Sequence, residues 1–503
     1  MKYPLPHLFF ALLILAGSFF LLRLPFYTQE LVGEEGIIAH LFLNEVKKPD
    51  YLLLARIDGV NQMTAPQHPA PMYQAINGVG KVVRQLVPFG KLDPLESAFV
   101  LRVVFSLPLF LVLLSGVVYL YRCGNENLYY WLALLVAFAS SPVLLVSSTE
   151  LQLDASFGIG SFGLWALAVT ALSGSPPARP YRHGAVLFLA CFAAGLGKNE
   201  WSLVLFVSLF AGITYAWSSA RSRGAGGGAV AILLLGLFGL LTGNLFSYLD
   251  DPLNYIMGWQ LMSSMSKHES IFNLAKLQQL LGVMGARWTY VAQALLLILC
   301  SSFLFLRARF TGGRMERWGA GLLFLGGLYY LSTWNEMVPF NIVSFLVPLA
   351  VLAFAPILIA WLAEGEGKAP LSAFSLVPVL FSLLLFAAYF VSTWEGGPRY
   401  YAVAQIVSLF ALVSVLRVQS TSAQRKLLVC ITLSLLVLHA VSWANRGRYQ
   451  RVIVHAPDRQ GNCLPVLSSG EAVFKKGDFL GSSCSREYFQ QMSKKYNRPL
   501  CGP

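Results

Sequence analysis

The sequence predicts an all-α polytopic membrane protein of about thirteen transmembrane helices, with a long first outer loop of interfacial helices and a small extracytoplasmic C-terminal domain. Composition is the first observation. Of 503 residues, 56% are hydrophobic and 12% charged, and the 43 glycines bring the apolar share to about 65%, against about 45–50% in soluble proteins. Soluble domains carry roughly twice this charge, so the apolar side chains must face lipid. The second observation is length: the apolar runs approach the roughly 20 residues that span a hydrocarbon core. The third is the position of the basic residues, which lie between the runs and on one side of them. The net charge of +13 therefore orients a membrane protein and does not indicate nucleic acid.

The expected spans are 8–24, 97–120, 128–148, 155–172, 185–197, 201–218, 228–248, 286–306, 320–333, 341–362, 371–391, 401–416 and 427–443. The fifth and ninth are short and either tilt, dip without crossing, or borrow polar flanking residues. The first has a basic start and an apolar middle, but no A-x-A site precedes Pro25, so it reads as an uncleaved anchor. With the N-terminus cytoplasmic, fourteen cations fall on the inner side: Lys2, Arg122, Arg179, Arg182, Arg221, Arg223, Arg307, Arg309, Arg314, Arg317, Lys368, Arg417, Arg425 and Lys426. The short outer loops hold only Lys198 and Arg399. An odd number of crossings then puts the C-terminus outside. The chain divides into a membrane domain, 1–443, with an outer loop at 25–95, and an outer domain, 444–503.

Three of the seven cysteines, Cys463, Cys484 and Cys501, fall in the outer tail, where one disulfide among them is expected and the pair is open. There is no CxxC and no His/Cys cluster, so no metal motif is present.

Ionisable residues at membrane depth mark function, whereas those at helix ends can simply be wetted. Glu34, Glu35, Glu150, Asp154, Lys198, Glu200, Asp250, Asp251, Arg287, Glu336, Glu395 and Arg399 all map to outer helix ends or the loops joining them. Any one of these alone is an ordinary solvated end; together they describe a charged cavity opening outward. Glu150 and Asp154, in SSTELQLDASFG, share one face if that stretch is helical. Asp250 and Asp251, before Pro252, read better as a helix end. Lys198 with Glu200 admits a local ion pair, Arg399 an interface anchor, His68 a turn, and the Glu34 and Glu35 pair a helix N-cap.

The acidic pair in the first outer loop, HPAPMY at 68–73, ELQLDA after the third span, GLGKN after the fifth and GPRYY before a late span together resemble the GT-C superfamily of polyprenyl-phosphate-dependent glycosyltransferases. The branch is that of the protein O-mannosyltransferases and the lipid A aminoarabinose transferase, and the resemblance covers residues 1 to about 420. It departs from the family in two places. Glu34 stands where the family has Asp, and His68, Pro69, Ala70, Pro71, Met72, Tyr73 is a looser version of His-Pro-Pro-Leu-Tyr.

The resemblance implies transfer of a sugar from a polyprenyl-phosphate carrier to a lipid, glycan or protein acceptor at the outer face of the cytoplasmic (inner) membrane, with inversion. Glu34, Glu35 and Asp154 take the catalytic positions, Glu34 being the expected base. Glu150, His68, Tyr73, Lys198, Arg399 and Tyr400 take the substrate-binding positions, with Lys198 and Arg399 as phosphate clamps. The partners implied are the polyprenyl-phosphate-linked donor, the acceptor and membrane lipids, and no nucleic acid. No cofactor is implied, and a divalent metal, while compatible, is not indicated. The competing class is a polytopic transporter or lipid-linked-sugar flippase, against which stand the absence of a visible repeat and the gathering of charge at one surface.

Overall fold

The computed structural model describes residues 4–27, 38, 42, 70–92, 94–123, 126–151, 153–173, 180–197, 199–223, 227–249, 321, 372–392, 399–417, 419, 421–444, 453–457 and 463–467. These form twelve α-helices and one strand pair. The helices are α1 (Leu5–Tyr27), α2 (Ala70–Leu86), α3 (Pro94–Arg122), α4 (Leu128–Ala139), α5 (Pro142–Thr149) and α6 (Leu153–Ser173). They continue with α7 (Pro180–Gly195), α8 (Asn199–Arg223), α9 (Gly227–Leu249), α10 (Ala373–Ser392), α11 (Arg399–Leu416) and α12 (Thr421–Ala444). Strands β1 (Ile453–Pro457) and β2 (Cys463–Leu467) pair antiparallel, Ile453 opposite Leu467 and Pro457 opposite Cys463.

Local chemistry fits these boundaries. α3, α5 and α7 open on Pro94, Pro142 and Pro180, whose missing N–H is one a helix start leaves unbonded anyway. Glu96 in the first turn of α3 and Arg122 in its last complement the helix dipole. Among the described residues, Leu5–Tyr27, Glu96–Arg122, Ala155–Ser173, Trp201–Ser219 and Gly227–Ser247 are long and apolar enough to cross a bilayer, and a bent pair makes a sixth. The chain is a multi-pass membrane protein. The expected spans 286–306, 320–333 and 341–362 lie outside the described residues, apart from residue 321.

Two features differ from the sequence reading. The expected straight span 128–148 is broken: α4 and α5 meet at 65° across Ser140 and Ser141. Pro142 cannot donate a backbone hydrogen bond, and the Ser140 hydroxyl takes the Ala137 carbonyl at 2.7 Å. The tail, included in the all-α expectation, contributes the β1–β2 pair.

Helix directions alternate. His7 at the start of α1 bonds Tyr129 at the start of α4, and Tyr27 at the end of α1 meets Phe99 near the start of α3. One end of the bundle is therefore marked by Tyr27 and the other by His7. α6 and α11 run parallel through the centre, with Thr170 Oγ1 donating to the Phe410 carbonyl at 3.0 Å. Nearly every residue of 401–416 is buried. α7 and α9, also parallel, touch backbone to backbone: a Cβ at Gly239 would lie 2.3 Å from the Phe188 carbonyl oxygen. Small residues permit this approach where lipid supplies no hydrophobic drive.

Candidate functional site

Three helices begin together at the Tyr27 end. Gly158, in the second turn of α6, sits against Trp201 in the first turn of α8 and Val403 in the second turn of α11. The Phe162 ring meets Trp201 edge-on at 5.8 Å and stacks on Phe381 of α10 at 5.3 Å, which locks the four helices. The first turns of α6, α8 and α11 carry Asp154, Glu200 and Arg399 with Tyr400 respectively, and Lys198 immediately precedes α8. Each helix N-terminus presents unbonded N–H groups and about half a positive charge, so carboxylates there are stabilised in ionised form and an anion is attracted. Of Asp154, Glu200, Arg399, Tyr400 and Tyr73, only the backbone positions are described, and Lys198 lies outside the described residues.

Glu150 and Asp154 do not share a helical face, which corrects the expectation for ELQLD. α5 ends at Thr149, and Glu150 is extended, with φ −72° and ψ 140°. The cause is local competition for carbonyls. Thr149 Oγ1 bonds the Leu145 carbonyl at 2.7 Å, and Arg102 Nη1 takes the Thr149 carbonyl at 2.8 Å. Leu151 then drops into a small core with Ile38, Phe42, Met72, Ala98, Leu101 and Phe105. Half-buried Glu150 and the start of α6 are thus presented separately at the same end.

That small core packs against Phe157 of α6 at the same end. α2, which follows His68 and Pro69 and carries Tyr73, inserts Met72 into it, and Arg84 donates to the Phe42 carbonyl. Tyr27 is fixed to Ser106 by a 2.8 Å hydroxyl contact. The chain carrying Glu34 and Glu35 therefore departs at Tyr27 and is back at Ile38 on the same end of the bundle. Glu34, Glu35 and His68 themselves lie outside the described residues, as do Asp250, Asp251, Arg287, Glu336 and Glu395. The cysteine expectation falls there too: Cys484 and Cys501 are outside, and Cys463 is placed only as the first residue of β2.

Two buried arginines at this end escaped the sequence reading, Arg23 in α1 and Arg102 in α3. Each was hidden inside an apolar run, yet an arginine within a span is itself a signal. Among the described residues, no three His, Cys, Asp or Glu gather within reach of one metal ion. The arrangement brings together the N-termini of α6, α8 and α11, whose first turns carry Asp154, Glu200 and Arg399 in sequence, a setting that favours an anionic ligand. No protein-family model matches the chain, and no curated protein is similar to it.

Proposed function

We propose that the chain is a membrane glycosyltransferase that moves a sugar from a polyprenyl-phosphate carrier to a lipid, glycan or protein acceptor at the outer face of the membrane. The observation supporting this reading is the meeting of the α6, α8 and α11 N-termini at the end of the bundle where Glu150 sits and the Glu34 and Glu35 segment departs and returns. Displacement at the anomeric carbon requires a base for the acceptor hydroxyl and positive charge for the phosphate that leaves. Glu34 serves as the base, Glu35 and Asp154 orient the reacting groups, and Lys198 and Arg399 receive the phosphate. Glu150, His68, Tyr73 and Tyr400 line the acceptor and sugar sites. Lipid-lined surroundings strengthen these charge interactions relative to water.

The test is to incubate the purified protein with a panel of polyprenyl-phosphate sugars and candidate acceptors and follow release of the lipid phosphate. Lys198→Ala and Arg399→Ala are expected to raise the KM for the carrier-linked donor about 10- to 100-fold, the loss of one charge-assisted contact of roughly 1.5–3 kcal/mol. Unchanged KM and rate in both variants would leave them as interface anchors.

The orientation has its own check. A cysteine-accessibility map is expected to find 444–503 on the extracytoplasmic side and the C-terminal end of α8, with Arg221 and Arg223, on the cytoplasmic side. The reverse result would move every proposed site residue to the wrong compartment for a polyprenyl-linked donor.

The α4–α5 break favours one other reading, a transporter or lipid-linked-sugar flippase, because transporters build sites from discontinuous spans. Carrier translocation in vesicles without any lipid phosphate released would establish that reading.

A further inference from the structure

A cation inside a membrane-spanning helix is costly and reads first as a ligand for something that enters the bundle. The geometry of Arg23 excludes that role. Its side chain is wholly buried, its Nε donates to Ser148 Oγ at 2.9 Å, and its Nη2 donates to the Ala139 carbonyl at 3.2 Å. Nη1 donates to the Phe19 carbonyl at 3.3 Å, and the guanidinium lies 3.7 Å from the centre of the Phe19 ring. Among the described residues no carboxylate pairs with it. All its nitrogens are engaged by protein, so no substrate reaches them.

What these bonds join is informative. Ala139 closes α4, and Ser148 lies next to last in α5, so one side chain of α1 spans the two arms of the bent segment. Arg102, also buried, donates from α3 to the carbonyl of Thr149, the last residue of α5. α5 has only eight residues and could not hold its own geometry. Its neighbours supply what it lacks. The break itself is tied down residue by residue: Ala139 to α1, Ser140 to His439 of α12 at 3.2 Å, and Ser141 to Gln405 of α11 at 2.9 Å.

We infer that Arg23 and Arg102 are positioning residues: from α1 and α3 they hold α5 at its bend, and so fix where Glu150 and the first turn of α6, with Asp154, are presented. The geometric part stands by itself. The kinetic part rests on the glycosyltransferase reading.

The experiment uses the full-length protein with its native cysteines replaced and nitroxide labels at Leu86→Cys on α2 and Glu150→Cys. The distance distribution between the labels is expected to be narrow in the parent, broad in Arg23→Met and Arg102→Leu, and narrow again in Arg102→Lys, which keeps a donor for the Thr149 carbonyl. Unchanged widths in Arg23→Met and Arg102→Leu would overturn the proposal. If either variant fails to yield monodisperse protein, Ser148→Ala, which removes one bond of Arg23, decides by the same criterion.

In the unlabelled chain, with polyprenyl-phosphate hexoses as donors, kcat is expected to fall about 10²-fold as the carboxylates lose their register, while donor KM is retained. Arg102→Lys should recover most of it. Broadened distances with unaltered kcat would remove the role in catalysis. Broadened distances in a protein whose parent consumes no donor would uphold the positioning and sink the glycosyltransferase reading instead.

Discussion

Glu34→Gln is expected to lower sugar transfer about 10²–10⁴-fold while leaving the amount of folded, membrane-inserted protein unchanged. Gln keeps the shape of the side chain and its hydrogen bonding but cannot receive the proton of the acceptor hydroxyl. Glu35→Gln should give a partial loss and Asp154→Asn a severe one. In a helix, neighbours project about 100° apart, so the two glutamates are poor substitutes for each other if they share one. Release of polyprenyl phosphate measures all three. Near wild-type transfer by Glu34→Gln would move the base to Glu35 or Asp154, and near wild-type transfer by all three would end the proposed mechanism.

The second large effect is expected at Gly158. A Cβ there would lie 2.3 Å from Cζ3 of Trp201 and 2.8 Å from Cγ2 of Val403. Both neighbours are fully buried, and Phe162 packs edge-on against Trp201, so neither has room to turn away. Gly158→Ala should cost about 1–3 kcal/mol, the usual penalty of overpacking, and Gly158→Val more. The strain falls where the first turns of α6, α8 and α11 meet, so transfer should fall with stability.

Gly78 is the control. It lies on the exposed face of α2, and a Cβ there meets nothing within 4 Å. Gly78→Ala should be neutral or stabilising by up to about 1 kcal/mol. Thermal denaturation of the detergent-purified variants compares them. A Gly158→Val protein as stable as wild type would show that the three helices are not in close contact.

Much of the secondary structure was legible in the residues alone. Hydropathy placed spans at 8–24, 97–120, 155–172, 201–218 and 228–248, and helices stand at Leu5–Tyr27, Pro94–Arg122, Leu153–Ser173, Asn199–Arg223 and Gly227–Leu249. The reason is that a segment in hydrocarbon must bond its own backbone, so twenty apolar residues have few alternatives to a helix. The sequence also leads to the expectation that the charged motifs gather at one end, because a chain that alternates direction returns its odd-numbered loops there. The described members of that group, Glu150 and the helix starts bearing Asp154 and Arg399, do lie at the Tyr27 end.

Tertiary structure decided the rest. Hydropathy does not distinguish a face turned to protein from one turned to lipid, since both are apolar. Nothing in its composition marks α11 as the buried centre, or α9, with Phe238 and Phe246 exposed, as the rim. Nor did spacing reveal the bend at Ser140 and Ser141 or the separation of Glu150 from Asp154. Those depend on Arg23 and Arg102, which sit 116 and 47 residues away in sequence from the carbonyls they hold. A local pattern registers the hydrogen bonds a helix can make with itself. Where a short segment surrenders those bonds to side chains from distant helices, only the folded bundle brings donor and acceptor together.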